Sequence, residues 1–193
     1  MCSSSTFYLR PPAASAENRR LGARLASAKT IPELGKLLDG KGVVPIAVHL
    51  AYHYRDGRES IRAEPLEAWE KRTVALLNHP GMLEKTFFIE SGNDLGAHFE
   101  RHGSKLPDGA KVYTSKTGSI NLIGRDGWAR INAALGDGKT RGVFLIGIYL
   151  ENCLAICKNS VSAILDRLGR KDVFIATNRL VTAWAFPFKG VDE

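Results

Sequence analysis

Three residues that can take part in nucleophilic chemistry stand at or just after the ends of predicted strands. Cys153 follows one apolar run, Lys116 follows a second, and His49 lies near the end of a third. A thiolate is a nucleophile, a neutral imidazole can accept its proton, and an ammonium can stabilise developing negative charge. Together the three residues predict nucleophilic catalysis by a cysteine.

Cys153 stands at the predicted start of a helix, which is a position that favours a thiolate. A helix N-terminus presents unpaired N–H groups and roughly half a positive charge. The same amides could hold the oxyanion of a tetrahedral intermediate, so we predict oxyanion or substrate binding by Leu150, Glu151 and Asn152. The alternative is that Cys153 is a buried and inert residue, as free cysteines often are.

Lys116 and His49 have structural explanations as well. A lysine just past a strand can be a solvated surface residue, and a histidine within an apolar strand is often a hydrogen-bonded core residue. Glu90 and Asp94, near the end of another predicted strand, are further candidates for a carboxylate in the site. The sequence leaves these alternatives open.

The hydrophobic pattern predicts the scaffold that must position these residues. Strands are expected at residues 43–52, 85–90, 110–115, 141–150 and 172–177, with an edge element at 180–188. Helices are expected at residues 16–28, 32–38, 64–77, 125–135 and 152–168. This alternation predicts an α/β fold, a three-layer α/β/α sandwich with a mostly parallel sheet. Such sheets bind ligands beyond the C-terminal ends of their strands, where all three candidates lie.

The order and spacing of these residues resemble the isochorismatase-like cysteine hydrolases, a family that includes nicotinamidases and N-carbamoylsarcosine amidases. The stretch LPDGAKVYTSKTGSI is similar to the family's lysine segment, with Lys116 at the catalytic position. The stretch GIYLENCLAICKNSVSAILDRLG is similar to the cysteine segment, with Gly147 six residues before Cys153. The resemblance covers residues 43–180. It implies an isochorismatase-like fold and hydrolysis of a small amide or related C–N bond by a thiol nucleophile.

The chain departs from this family at positions that matter for the chemistry. The family has a catalytic Asp where His49 stands, so the resemblance implies a Cys–His pair assisted by Lys116. A neutral imidazole would accept the thiol proton, whereas an imidazolium would lower the pKa of the thiol further. Leu150 and Cys157 replace two threonines of the family.

No metal and no cofactor are expected. The metal-binding Asp and His residues of the family have no counterpart after the first strand, and no second Cys or His pair has zinc-finger spacing. The departures leave an alternative function open. In that alternative the chain is a catalytically inactive relative that serves as a ligand-binding or protein-interaction module.

Length, composition and charge fit a globular protein with a basic N-terminal segment. The chain has 193 residues, of which 44% are hydrophobic and 24% charged. Residues 1–41 are expected to form a basic arm with short helices, irregular up to about residue 16, and residues 42–193 the hydrolase domain. The net charge of +7 fits an anionic small-molecule substrate. No recognisable nucleic-acid motif accompanies it, so nucleic acid is not the favoured partner.

Cysteine usage and hydropathy bear on location and assembly. Three cysteines are too few for a disulfide framework, which indicates the cytoplasm or another reducing compartment. No apolar run is long enough to span a bilayer, so no membrane association is expected. The Arg-rich and Ser-rich beginning also fits an organelle transit peptide, and a bacterial secretion signal or a packed arm is equally compatible. The family resemblance implies a homo-oligomer.

Overall fold

The fold is built around one sheet whose strands alternate with helices along the chain. The computed structural model describes residues 8–10, 15–40, 42–51, 63–90, 92, 94–114, 123–136, 140–148, 154 and 160–183. The strands are β1 (Tyr8–Arg10), β2 (Val43–Val48), β3 (Phe87–Glu90), β4 (Lys111–Thr114), β5 (Gly142–Ile148) and β6 (Phe174–Ala183). The helices are α1 (Ala16–Ser27), α2 (Ile31–Asp39), α3 (Ala63–Leu77), α4 (Met82–Lys85), α5 (Leu95–Arg101), α6 (Gly124–Leu135) and α7 (Val161–Arg167).

The strand order in this sheet is β1-β6-β5-β2-β3-β4. Strands β2 to β6 all run parallel to one another, and β1 pairs antiparallel with β6 at the edge. From β2 the chain moves outward through β3 to β4, and it then returns to the other side of β2 for β5 and β6. The direction of winding therefore reverses between β2 and β5, which is the point where open α/β sheets form ligand sites.

Helices cover both faces of the sheet, and this arrangement confirms the predicted three-layer α/β/α sandwich. Strand side chains such as Phe88 and Phe144 form one core cluster with residues of α1 to α5. Strand side chains such as Ile46 and Leu145 form a second cluster with residues of α6 and α7. Because both faces are buried, β2 and β5 are continuous apolar runs rather than alternating ones. None of the helices in the described ranges is long and apolar enough to cross a bilayer.

Helices α1 and α2 pack into the first of these two core clusters. Their Leu25, Leu34 and Leu38 side chains are fully buried there. Side chains cap both helices at the N-terminus, because Ser15 and Thr30 accept hydrogen bonds from backbone N–H groups of the first turn. The division of the chain at residue 41 stays a prediction, although the described residues on both sides of it share one core.

The side chain of Asn178 fastens the end of α1 to β6. Its Nδ2 donates to the backbone oxygens of Leu25 and Ala28, at 2.8 and 3.1 Å, and its Oδ1 accepts from the N–H of Leu180 at 2.9 Å. The pairing with β5 passes from Thr177 directly to Thr182, so the residues between them bulge out of the sheet. Asn178 lies in this bulge, which brings its side chain within hydrogen-bonding distance of the end of α1.

Several elements differ from the sequence-based expectations. A three-residue strand, β1, forms within a segment expected to be irregular, because it can pair with the edge of β6. The expected edge element at residues 180–188 is, as far as residue 183, the end of β6 itself. Helices α4 and α5 were not anticipated. Helix α7 begins after Ser160, whose side chain caps it, whereas a start near residue 152 was expected. Between 152 and 159 the structure describes residue 154 alone.

Candidate functional site

His49 and Glu90 stand side by side at the C-terminal edge of the sheet. Glu90 is the last residue of β3, and His49 follows the last residue of β2. The register pairs Val48 with Ile89, and the backbone N–H of His49 donates to the carbonyl of Ile89 at 2.8 Å. Both side chains are only 1% exposed. Two titratable groups are therefore buried next to the reversal in strand order.

The Glu90 carboxylate holds the turn that follows β2. Its oxygens accept hydrogen bonds from the backbone N–H groups of Leu50, at 2.7 Å, and Ala51, at 3.4 Å. Burial raises the pKa of Glu90 to about 8, and the negative charge of Asp94 adds to the increase, while the two N–H donors oppose it. Glu90 is therefore mostly protonated at pH 7.

His49 combines an unusual backbone conformation with a strongly shifted pKa. Its φ of 55° lies in the left-handed region, and this turn directs the next two backbone N–H groups towards Glu90. Burial lowers the pKa of the imidazole to about 4. Of the two protonation states considered for His49, the structure therefore favours the neutral imidazole at pH 7.

Gly147 allows β5 to approach the end of β2 closely. Its φ is 134°, and a Cβ atom at this position would overlap the carbonyl oxygen of Val48, its partner in the register. Only glycine fits both the conformation and the space. The close packing of β5 against β2 therefore explains the glycine at position 147, whether or not Cys153 is catalytic.

Of the residues predicted for the site, His49 is within the described part of the chain. Cys153, Lys116 and the segment of Leu150, Glu151 and Asn152 lie outside the described residues. The strands that precede them are described: β4 ends two residues before Lys116, and β5 ends five residues before Cys153. Strands β2 and β5 are direct neighbours, whereas β3 separates β2 from β4.

From the sequence, Glu90 is expected only as an alternative carboxylate in the site. The structure puts Glu90 beside His49 and in contact with the turn after β2. The available signal was a glutamate at the end of an otherwise apolar strand, in FFIE. An acidic residue that ends a fully buried strand is rarely left without hydrogen-bonding partners.

A second polar cluster, which was not predicted from the sequence, lies between α3 and α5. It consists of Glu70, His98 and His102, and their potential ligand atoms all lie within 4.8 Å of one another. His102 Nε2 is 3.0 Å from the Glu70 carboxylate. Glu70 and His98 are buried and His102 is largely so. The available signal was the four-residue spacing of the histidines in HFERH, which puts both on one helix face.

An open hollow of about 410 Å³ lies on the surface formed by α1 and α2. Arg24 and Lys36 line it together with the carboxylate of Glu33. Glu33 is partly engaged, since it accepts a hydrogen bond from the backbone N–H of Lys29 at 2.8 Å. The hollow therefore presents positive charge within the basic N-terminal segment.

No family model, curated protein or solved structure matches this chain. Residue chemistry and geometry are therefore what supports an assignment of function.

Proposed function

We propose that this chain is a cysteine-dependent hydrolase that cleaves a small amide or related C–N bond at the junction of β2 and β5. One observation carries the proposal: the winding of the sheet reverses between these two strands, and such reversals form ligand sites in α/β folds. His49 directly follows one of the two strands, and Cys153 follows the other in sequence. The resemblance of residues 43–180 to isochorismatase-like cysteine hydrolases supports the same assignment.

Each candidate residue has a defined step in this proposal. The Cys153 thiolate attacks the carbonyl carbon, while the Lys116 ammonium and amides of residues 150–152 stabilise the oxyanion. The C–N bond then breaks, and the amine leaves with a proton from the acid in the site. A water molecule gives one proton to the group that protonated the amine and attacks the thioester, which releases the carboxylic acid and restores the Cys153 thiolate.

The pKa values favour Glu90 over His49 as the group that carries the proton. A pKa of about 4 makes the imidazolium form of His49 unfavourable in its buried position. Glu90, with a pKa of about 8, is close to an ordinary thiol at about 8.5, so a proton can pass between the two at little cost in free energy. In this proposal His49 is a neutral neighbour that shapes the turn. Glu90 begins in its protonated form with Cys153 as the thiolate, donates its proton to the leaving amine, and then accepts a proton from the attacking water.

Ammonia release from a panel of small primary amides and ureido compounds tests the proposal. We expect turnover that Cys153→Ala abolishes and that the matched control Cys157→Ala retains. Glu90→Gln should lower kcat by about 100-fold or more, whereas His49→Asn should lower it less. Mass spectrometry should detect the thioester on Cys153. Turnover that survives Cys153→Ala would contradict the proposed nucleophile.

A non-catalytic ligand-binding module is the second candidate, and two observations favour it. Both oxygens of the Glu90 carboxylate accept backbone hydrogen bonds, which is also what a purely structural carboxylate would do. The hollow on α1 and α2 presents Arg24 and Lys36 to solvent. This candidate predicts that a small anion raises the Tm of the wild-type chain but not of Arg24→Gln/Lys36→Gln. Turnover dependent on Cys153 would argue against it.

A further inference from the structure

We propose that Glu70, His98 and His102 form a binding site for a divalent transition-metal ion of the zinc type between α3 and α5. Two imidazoles and one carboxylate are a ligand set that suits Zn²⁺, Co²⁺, Ni²⁺ and Fe²⁺. Mg²⁺ and Ca²⁺ prefer sites made only of oxygen ligands. The proposal does not depend on the hydrolase function.

The helices already hold the three ligands at close range. His98 is in α5, and His102, four residues later, caps its C-terminal end, so both rings lie on the same side of the helix. Their ring centroids are 5.5 Å apart. Glu70 reaches the same place from the middle of α3, where Trp69 and Thr73 beside it are buried.

The separations are close to those of a tetrahedral site. Metal–ligand bonds of about 2.0–2.1 Å imply donor atoms about 3.3 Å apart. His102 Nε2 and the Glu70 oxygen are 3.0 Å apart, and no separation in the cluster exceeds 4.8 Å. Side-chain rotations that move ligand atoms by about 1–2 Å would therefore complete the site.

The cluster offers its three ligands in a largely buried place. His98 is fully buried and Glu70 is 8% exposed, so the site is largely shielded from bulk water. Glu67, three residues before Glu70, and Lys71, one residue after it, form an exposed ion pair on the same helix. Zinc sites with three protein ligands complete their coordination with a bound water, which would also be the fourth ligand here.

A structural contact is the competing explanation. The hydrogen bond between His102 and Glu70 joins α3 to α5 whether or not a metal is present. In that case the cluster would bind metal no better than the other histidines of the chain. His79 is a matched control because it is a partly exposed histidine just after α3, outside the cluster.

Titration of the metal-free full chain with Co²⁺ and Zn²⁺ tests the site, with the visible absorption of Co²⁺ as a probe of coordination. We expect one ion per chain and a spectrum of nitrogen and oxygen ligands. His98→Gln, His102→Gln and Glu70→Gln should each weaken binding by at least about 100-fold, while His79→Gln should change it less than about twofold. Binding should weaken on acidification, because the ligands must be deprotonated.

A second measurement guards against variants that fail to fold. Circular dichroism establishes which variants are folded, and Zn²⁺ should raise the Tm of the wild-type chain and of His79→Gln but not of folded cluster variants. Unchanged affinity in the cluster variants would overturn the site. Intense thiolate-to-cobalt charge-transfer bands that disappear in Cys153→Ala would also overturn it, because they would assign the ion to a cysteine.

Discussion

The Glu90 carboxylate accepts a hydrogen bond from the backbone N–H of Leu50 at 2.7 Å, although the two residues are 40 positions apart in sequence. This bond joins the end of β3 to the turn that follows β2. His49 lies within that turn, and its left-handed backbone directs the donor towards the acceptor. One buried titratable group thus holds the edge of the sheet that we propose as the active site.

The raised pKa of Glu90 predicts a loss of stability as pH increases. The native state keeps a proton on Glu90 up to about pH 8, whereas the unfolded chain loses it near 4.5. The stability that Glu90 contributes to the native state is therefore fully present below pH 4.5 and is lost as pH rises through about 8. Relative to Glu90→Gln, the free energy of unfolding of the wild-type chain should fall by a few kcal/mol over this window.

Urea denaturation of both proteins across the pH range measures this difference. Glu84→Gln, at an exposed position, is a suitable control for the exchange of a glutamate for a glutamine. A constant offset between wild type and Glu90→Gln would contradict the shifted pKa.

His49 predicts the opposite trend. Its folded pKa of about 4 lies below the unfolded value of 6.5, so the stability it contributes is lost as pH falls from 6.5 towards 4. His49→Asn removes the imidazole and keeps a residue that tolerates the left-handed conformation. Acid denaturation curves should show the variant losing less stability than the wild type between pH 6.5 and 4. Equal losses would mean that His49 does not resist protonation in the native state.

Gly147→Ala should destabilise the chain by more than about 3 kcal/mol, because the new Cβ would overlap the carbonyl of Val48. Gly109→Ala is the matched control. Gly109 also has a positive φ, 83°, but open space surrounds it, so we expect a loss of only about 1 kcal/mol. Thermal unfolding of the two variants distinguishes steric overlap from backbone strain. Similar Tm losses would argue against the close approach of β2 and β5.

Asn178→Ala should cost about 2 kcal/mol or more, because it removes the buried amide that bonds to the carbonyls at the end of α1. Asn78→Ala removes an exposed bond to Ser104 and should cost less than about 1 kcal/mol. Hydrogen exchange measures the local effect. The backbone amides of α1 should exchange faster in Asn178→Ala than in the wild type, and at the wild-type rate in Asn78→Ala. Unchanged protection of α1 would show that its attachment does not depend on Asn178.

Strong local patterns made much of the fold predictable from the sequence. The apolar runs of β2 and β5 and the helical periodicity of α3 each identify a buried element without reference to its partners. Strand β1 was not predictable, because three residues carry no periodicity and are stabilised by pairing with β6. Helix α5 was also hard to predict, because it has only seven residues, including Gly96. The burial of Phe99 in the core stabilises it.

The candidate site was predictable only in part, for a related reason. The rule that sites follow strand ends singled out His49. The hydrogen bond from Leu50 to Glu90 depends on the left-handed turn at His49. The proximity of Glu70 and His98 depends on how α3 and α5 pack. Contacts between distant parts of the chain leave no spacing pattern in the sequence.

The central claim, an activated thiol at the junction of β2 and β5, is tested most directly by the rate at which iodoacetamide labels each cysteine. At about pH 6 an ordinary thiol reacts slowly, whereas a thiolate stabilised by the Lys116 ammonium would react fast. We predict that Cys153 is labelled at least about tenfold faster than a model thiol, and that Lys116→Gln slows it.

Lys111→Gln is the matched control, because Lys111 is exposed at the opposite end of β4, and it should leave the labelling rate unchanged. Labelling of Cys153 no faster than the model thiol, or equal rates in Lys116→Gln and the wild type, would contradict the account.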